Sequence, residues 1–435
     1  MSYLANKIRQ YKGSEFFRNI ITLFSGNVVA QIIPLLAYPV LTRLYQPSDF
    51  GTLALFTSIV GILSVMATGR YELSVILPKR DEDAAGLLVL SLALSIVFCL
   101  VIGLVLLFCN AWLLSFPGLS SLKVWLYLIP LSVLLSALYQ CFNYWTIRVK
   151  KFRHLAFAGI NQSMSTSIGK LILGFAGFLK SGLLAGNLFG QFSSVLALGV
   201  SLFYRRKGEF RSVTRSTVKT QAKIYNLYPK FNLIHAFTNI FSGNLPIFVL
   251  ASYFSQSAVG YFSLGLGLVF KPLNLFTTSV QQVFSQKIVE RYNKQQTIYA
   301  NVKTMVWRIF KIELLPFIVA LFLAPLACKW VLGNKWETAG LYLQFLIPWL
   351  FMVGLATPLS FIPEIFFCQK KAMIIDIIYL VFRIISLAIG VWARNLYLAI
   401  GLYSFVGVIV VGYNLFWYLE LCRNADKDFS QFRKN

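Results

Sequence analysis

The sequence predicts an all-α polytopic membrane protein with twelve transmembrane helices in two six-helix bundles. Three observations predict it. Hydrophobic residues make up 57% of the 435-residue chain and charged residues only 13%, with mean hydropathy +0.69, whereas a soluble domain carries about 25% charged residues. Apolar runs of spanning length recur twelve times. The basic residues collect in alternate loops between those runs. This composition excludes a soluble enzyme, a disordered chain and a fibrous one.

A helix needs roughly 20 apolar residues to cross the hydrocarbon core. The runs lie at 19–41, 51–69, 84–109, 124–146, 155–179, 182–204, 231–253, 257–284, 307–331, 339–367, 372–393 and 396–419. The first and eighth are the weakest, because Pro34, Pro39 and Pro272 interrupt them. The first 18 residues lack the apolar core of a cleavable signal. They read instead as a short interfacial helix with Leu4, Ile8 and Tyr11 on one side. The six cysteines are scattered in or beside apolar runs without a CxxC spacing, so they read as small core residues.

Loop charge sets the orientation. With the N-terminus inside, and Arg308, Lys311 and Lys329 assigned to the loops at the two ends of the ninth run, 31 of the 40 Lys and Arg fall in inside segments, 6 in outside loops and 3 within spans (Lys170, Lys271 and Arg383). Cytoplasmic loops retain basic residues near anionic lipid, so both termini are expected in the cytoplasm. The net charge of +25 is then a property of membrane-facing loops and implies no nucleic acid. Eight of the nine tryptophans lie near span ends, as interfacial anchors do; Trp349 alone sits well inside a span.

The longest polar stretch, 205–230, carries eight basic residues and separates six spans from six. It divides the chain into an N-terminal lobe, 1–210, and a C-terminal lobe, 211–435. A weak repeat supports the division: LTRLYQPSDFG at 41–51 aligns with LASYFSQSAVG at 250–260, an offset of 209 residues. Six crossings return the chain to the same face, so the halves should be parallel repeats related by a pseudo-two-fold along the membrane normal.

The segment 34–84 carries two distinctive motifs. One is the turn Arg43-Leu44-Tyr45 with Pro47 and Phe50-Gly51. The other is Arg70-Tyr71-Glu72 followed by Val75-Ile76-Leu77-Pro78. This segment resembles the opening of the bacterial polysaccharide-export family, the O-antigen flippases, within the multidrug/oligosaccharidyl-lipid/polysaccharide exporter superfamily. The resemblance implies a MATE-like fold in the bacterial inner membrane. It implies a transporter, not an enzyme, that moves a polyprenyl-pyrophosphate-linked oligosaccharide from the cytoplasmic to the periplasmic leaflet for lipopolysaccharide or other surface polysaccharide. A polysaccharide polymerase and chain-length proteins are expected partners, beside membrane lipids.

Such a cargo makes separate chemical demands. Its pyrophosphate needs fixed positive charge at membrane depth, and its sugars need amides, hydroxyls and aromatic faces. Lys271, directly before Pro272, and Lys170 lie mid-span, where a charge costs roughly 2.5–3.5 kcal/mol on insertion scales and so seeks a cavity or a partner. Arg383 lies seven residues after Asp376 on one helix face; an ion-pair network and a substrate contact are equally open. Arg70 and Glu72 at the end of the second span are candidates for a cytoplasmic mouth, or else a topology anchor with a local ion pair. Arg43 at the outer end is read as a helix C-cap or an outer gate. For the sugar, Asn27 and Gln31 share a face, Asn143 pairs with Gln140, and His235 stands among Asn232, Asn239 and Asn244. Trp349 can stack on a ring or pack in the bundle. Each amide has the alternative of an interhelical hydrogen bond.

No cofactor is expected, and coupling to H+ or Na+ is. The only Gly-Lys, at 169–170, is preceded by Met164 where a nucleotide-binding loop needs glycine. Glu364, Asp376 and His235 are the candidate ion relays, with Glu364 placed deep in the tenth span. Three other functions stay open. Multidrug export favours cationic cargo and an acidic cavity. Lipid II flipping typically uses more than twelve helices. A membrane polymerase or ligase usually has a large periplasmic loop with basic residues, whereas the longest outer loop here, about 110–123, holds one lysine.

Overall fold

The computed structural model describes residues 15–116, 118–203 and 213–432; the expected interfacial helix lies outside them. Among the described residues the regular structure is entirely helical. The helices are α1 Glu15–Leu44, α2 Pro47–Ala67, α3 Asp81–Ser115, α4 Ile129–Arg148, α5 Phe152–Phe175, α6 Leu179–Phe203, α7 Arg215–Ile224, α8 Leu233–Tyr253, α9 Gln256–Asn293, α10 Tyr299–Leu332, α11 Glu337–Ala356, α12 Gln369–Trp392 and α13 Leu396–Phe432.

Twelve of these have spanning length, and eleven also contain an apolar stretch long enough to cross a membrane. The exception, α5, is 24 residues long, about 36 Å at 1.5 Å per residue. Its polarity serves packing. Asn161 Nδ2 donates to Ser193 Oγ of α6 at 2.6 Å, and Ser165 Oγ lies 3.0 Å from the same hydroxyl. Gly169 meets Gly186 closely enough that an added Cβ would stand 3.3 Å from the Gly186 Cα. Small residues and interhelical hydroxyl bonds are how helices associate where no hydrophobic drive is available.

Prolines do not divide the first and eighth spans: α1 and α9 run continuously through Pro34, Pro39 and Pro272. Proline removes one ladder hydrogen bond and frees the carbonyl four residues earlier. In lipid that carbonyl must find another partner. Pro325 in α10 gives the clearest case. The carbonyl it frees, Leu321 O, accepts from Gln344 Nε2 of α11 at 2.7 Å. A break also arises where none is expected. The tenth span, read as 339–367, ends as regular helix at Ala356, followed by a 3₁₀ turn Thr357–Leu359 and a single turn Ile362–Ile365.

The chain forms two compact units, Met1–Val259 and Gly260–Asn435. In the first, α5 packs on α1 and α6, α4 on α2, α3 and α6, and α8 on α2. Part of the basic linker is α7, which docks on α3: Gln221 Nε2 donates to Asp83 Oδ1 at 2.8 Å, and Tyr71 Oη donates to Ala222 O at 3.1 Å. In the second, α10, α11 and α13 pack mutually, and α12 pairs with α13.

The sequence repeat has a structural counterpart. Leu44 and Pro47 bound the first corner and Tyr253 and Gln256 the other, again 209 apart. Each corner has a side-chain cap spanning three residues, in opposite senses: Asp49 Oδ2 reaches back to accept from Gln46 N at 2.9 Å, and Ser255 Oγ accepts from Ala258 N ahead of it at 3.0 Å. All six cysteines are free thiols. Cys99, Cys141, Cys328 and Cys422 are buried as expected, whereas Cys109 is exposed.

Gln344→Leu should cost about 0.6–1.7 kcal/mol of stability, measured by denaturant titration in micelles. The loss should shrink when Pro325→Ala removes the open carbonyl.

Candidate functional site

The 68–81 turn follows from local chemistry. Gly69 and Arg70 both adopt left-handed backbone, φ 59° and 62°, which ends α2 and starts the 3₁₀ turn Tyr71–Ile76. Arg70 thereby carries its guanidinium to Glu72 Oε1 at 3.5 Å and to Asn232 Oδ1 at 3.4 Å from Nε. Asn232 closes the π-helical turn Tyr228–Asn232 that starts α8. Glu72 is fully buried. Burial pushes its carboxyl above the ordinary glutamate range, and the nearby Arg70 opposes this by less.

Arg148, from the end of α4, holds the rest of the turn. It donates to the carbonyls of Val75 at 3.1 Å, Ile76 at 3.3 Å and Pro78 at 2.8 Å, and pairs with Asp81 at 2.8 Å. The Val75–Pro78 motif is a peptide segment wrapped on one guanidinium, whose planar fork suits several acceptors. Nothing in the motif itself points to an arginine some seventy residues later.

The second unit holds a buried cation in an aromatic box. Tyr379 and Arg383 are four residues apart on α12 and share a face. Arg383 Nη2 donates to Tyr379 Oη at 2.7 Å. Its guanidinium carbon lies 3.8 Å from the Tyr379 ring centroid, 4.8 Å from that of Tyr403 on α13 and 5.5 Å from that of Trp349 on α11. Trp349 and Tyr403 meet edge to face at 5.5 Å. Gly407 makes room for the indole: an added Cβ would stand 2.7 Å from Trp349 Cγ. Desolvated cation–π contacts contribute about 2 kcal/mol, which stabilises a charge in an otherwise apolar bundle.

The structure thus brings together Arg383 with Trp349, and Arg70 with Glu72, among the predicted residues. Asp376 does not share the environment of Arg383: it is exposed and the arginine buried. Lys271 is exposed on α9 beside Pro272. Lys170 is half-buried where α5 meets α6, and its carbonyl accepts from Tyr45 Oη at 2.6 Å. Arg43 Nη1 donates to Pro39 O at 2.6 Å, so it caps its own helix. Asn27 and His235 are exposed, and Gln31 and Asn143 half-buried. Glu364 is not deep in a span. It stands exposed in the turn beyond α11, because the helix has already ended at Ala356.

Sequence reasoning missed Tyr379, Tyr403, Arg148 and Glu313. The spacing of Tyr379 from Arg383 is a helical signal that could have found the first. Glu313 is 5% exposed in the middle of α10; its charged neighbours Arg308 and Lys311 disguise it as part of a cytoplasmic end.

Helices of this number and order define a multi-pass membrane protein with the fold of known transporters. The family of polysaccharide biosynthesis proteins matches residues 40–340, and the chain belongs to it. The lipid II flippase MurJ, in an inward closed conformation, is similar at TM-score 0.70 and 14% identity, over 94% of this chain and 90% of that one. An inward-facing multidrug resistance MATE transporter of the MOP superfamily aligns at TM-score 0.67 and 16% identity, over 93% and 95%. An outward-facing one aligns at TM-score 0.58 and 14%, over 94% and 96%. No curated protein sequence matches the chain. These structural likenesses carry the fold, and the proteins that share it are transporters and a flippase.

Two outcomes follow from the site geometry. Arg383→Lys should destabilise the protein by about 2 kcal/mol in the same titration, because an ammonium cannot stack as a plane against tyrosine. Glu72 has a folded pKa above its unfolded one, so its favourable contribution is complete below the ordinary glutamate pKa and is lost as pH rises through the folded value. Glu72→Gln should therefore melt higher than the native protein at pH 8, with the difference closing toward pH 4.

Proposed function

We propose that the chain is a flippase that moves a polyprenyl-pyrophosphate-linked oligosaccharide from the cytoplasmic to the periplasmic leaflet by alternating access. The chain's family supports a role in polysaccharide assembly, and its fold is similar to both inward- and outward-facing transporters. The observation that carries the anionic cargo is Lys271. It is exposed in the interior of a 38-residue helix, next to a proline within that helix. A basic side chain in the interior of a spanning helix marks a path for ions or polar cargo, and a pyrophosphate carries the charge that suits an amine there. The adjacent proline weakens the ladder at the same point and gives α9 a place to bend as the head group passes.

Arg70 has a complementary part. Its contacts to Glu72 and Asn232 are long, so an incoming phosphate oxygen competes for the guanidinium on favourable terms. Inner-membrane location with cytoplasmic termini, supply of surface polysaccharide such as O-antigen, and contacts with a polymerase and chain-length proteins belong to the same reading.

The test is reconstitution with a fluorescent polyprenyl-pyrophosphate oligosaccharide, scored by its loss from the outer leaflet of vesicles. Native protein should move it. Lys271→Ala should slow transport at least tenfold and Lys271→Arg much less. Undiminished transport by Lys271→Ala would remove the anionic-cargo argument.

A further inference from the structure

Glu313 is a carboxyl in the middle of α10, and the surrounding residues give it no counterpart. Neither of its oxygens has a hydrogen-bond partner among the described residues. The carboxyl presses on Gly354 of α11, where an added Cβ would collide with it. On its own helix Phe310 lies three residues before and Phe317 four after, on the same face. Both rings meet Phe351 of α11 edge to face, at 5.6 and 5.5 Å. The group therefore sits between aromatic rings at a glycine, sealed from water.

The charged side chains on the packed elements are exposed or engaged elsewhere. On α10, Lys311 lies over the Trp307 ring at 5.5 Å, Arg308 is exposed and Lys329 pairs with Glu337 of α11 at 3.1 Å. The α11 stretch beside the carboxyl, 350–356, has no titratable side chain, and Tyr342 lies three turns away. On α13, Tyr403 faces Arg383, Tyr413 faces Lys371 at 5.9 Å, and Asp426 accepts from Ile298 N at 2.7 Å and Tyr299 N at 3.1 Å. Tyr418 packs tilted against Trp417 at 5.5 Å, while Glu420 and Arg423 are exposed farther along that helix. Lys335 belongs to the turn at the far end of α10.

An ionised carboxylate cannot stay in such a place without a partner. A hard metal cation is a poor partner, because it needs several oxygen ligands and the immediate neighbours are phenyl rings and a glycine. A proton needs only the carboxylate itself. We infer that Glu313 is a proton-binding site: the acid form holds α10 against Gly354 of α11, and loss of the proton drives the two apart to hydrate the carboxylate. Resting on the flippase reading, this makes H+ the coupling ion and the α10–α11 seam the element it biases.

Two measurements separate this site from that reading. The first needs no cargo. Infrared difference spectra of the purified protein between pH 6 and pH 10, taken in a Glu72→Gln background to remove the other buried glutamate, should lose a protonated-carboxyl band with Glu313 or Glu313→Asp in place, and show no such loss in Glu313→Gln. A band that titrates equally in Glu313→Gln, or no titrating band with Glu313 in place, overturns the proton site. The second is the vesicle assay with an imposed pH gradient. The gradient should speed native transport severalfold, leave Glu313→Gln unresponsive, and act on Glu313→Asp to an intermediate extent. Equal responses from the native and Gln chains overturn coupling through Glu313. Absence of native transport, alongside a titrating band, sinks the flippase reading and leaves the proton site standing. Glu313→Asp guards against a Gln variant that fails to fold.

Discussion

In hydrocarbon a polar group has no solvent to fall back on, and the rest of the structure answers to that constraint. Gln344 exists, in energetic terms, because Pro325 opens a carbonyl on the facing helix. Hydroxyls in spans turn back on their own helix, as Thr42 does to Tyr38 O at 2.8 Å and Ser95 to Ser91 O at 2.7 Å. The guanidinium of Arg383 reaches the same end by a different route, through three aromatic faces and one phenol. Glu313 stands apart because its surroundings supply nothing comparable.

Most of the helical framework was legible in the sequence. Spanning runs, charge asymmetry and interfacial tryptophans report directly on the apolar solvent, so helix number and order followed. Boundaries were harder where proline was given the weight it has in water. In α1 and α9 the helix continues through it, whereas α11 ends eleven residues before the apolar run does, at Thr357-Pro358, despite unbroken hydropathy. Apolarity measures solvent preference and says little about where a helix turns within that solvent.

The site was legible only in part, for a related reason. A mid-span charge announces itself, and Lys271, Lys170 and Arg383 were all found that way. What surrounds such a charge is set by distant segments. Tyr403 reaches Arg383 from another helix, and Arg148 reaches the Val75–Pro78 carbonyls across some seventy residues. Glu364 was misplaced by the same break that shortened α11. Glu313 was overlooked because Arg308 and Lys311 share its helix but not its side, and a linear reading does not separate the sides.

Several helices overrun the hydrocarbon. At 37 residues α13 is about 55 Å long, while the apolar slab is roughly 30 Å thick. Such a length leaves a post of helix beyond the lipid, and α13 is braced toward its C-terminal end where Asp426 accepts from Ile298 N and Tyr299 N at the start of α10. A fluorophore set on that post would swing through an arc larger than the tilt of the buried portion. The overhang is a built-in pointer for watching rotations of its helix that are too small to see from within the bilayer.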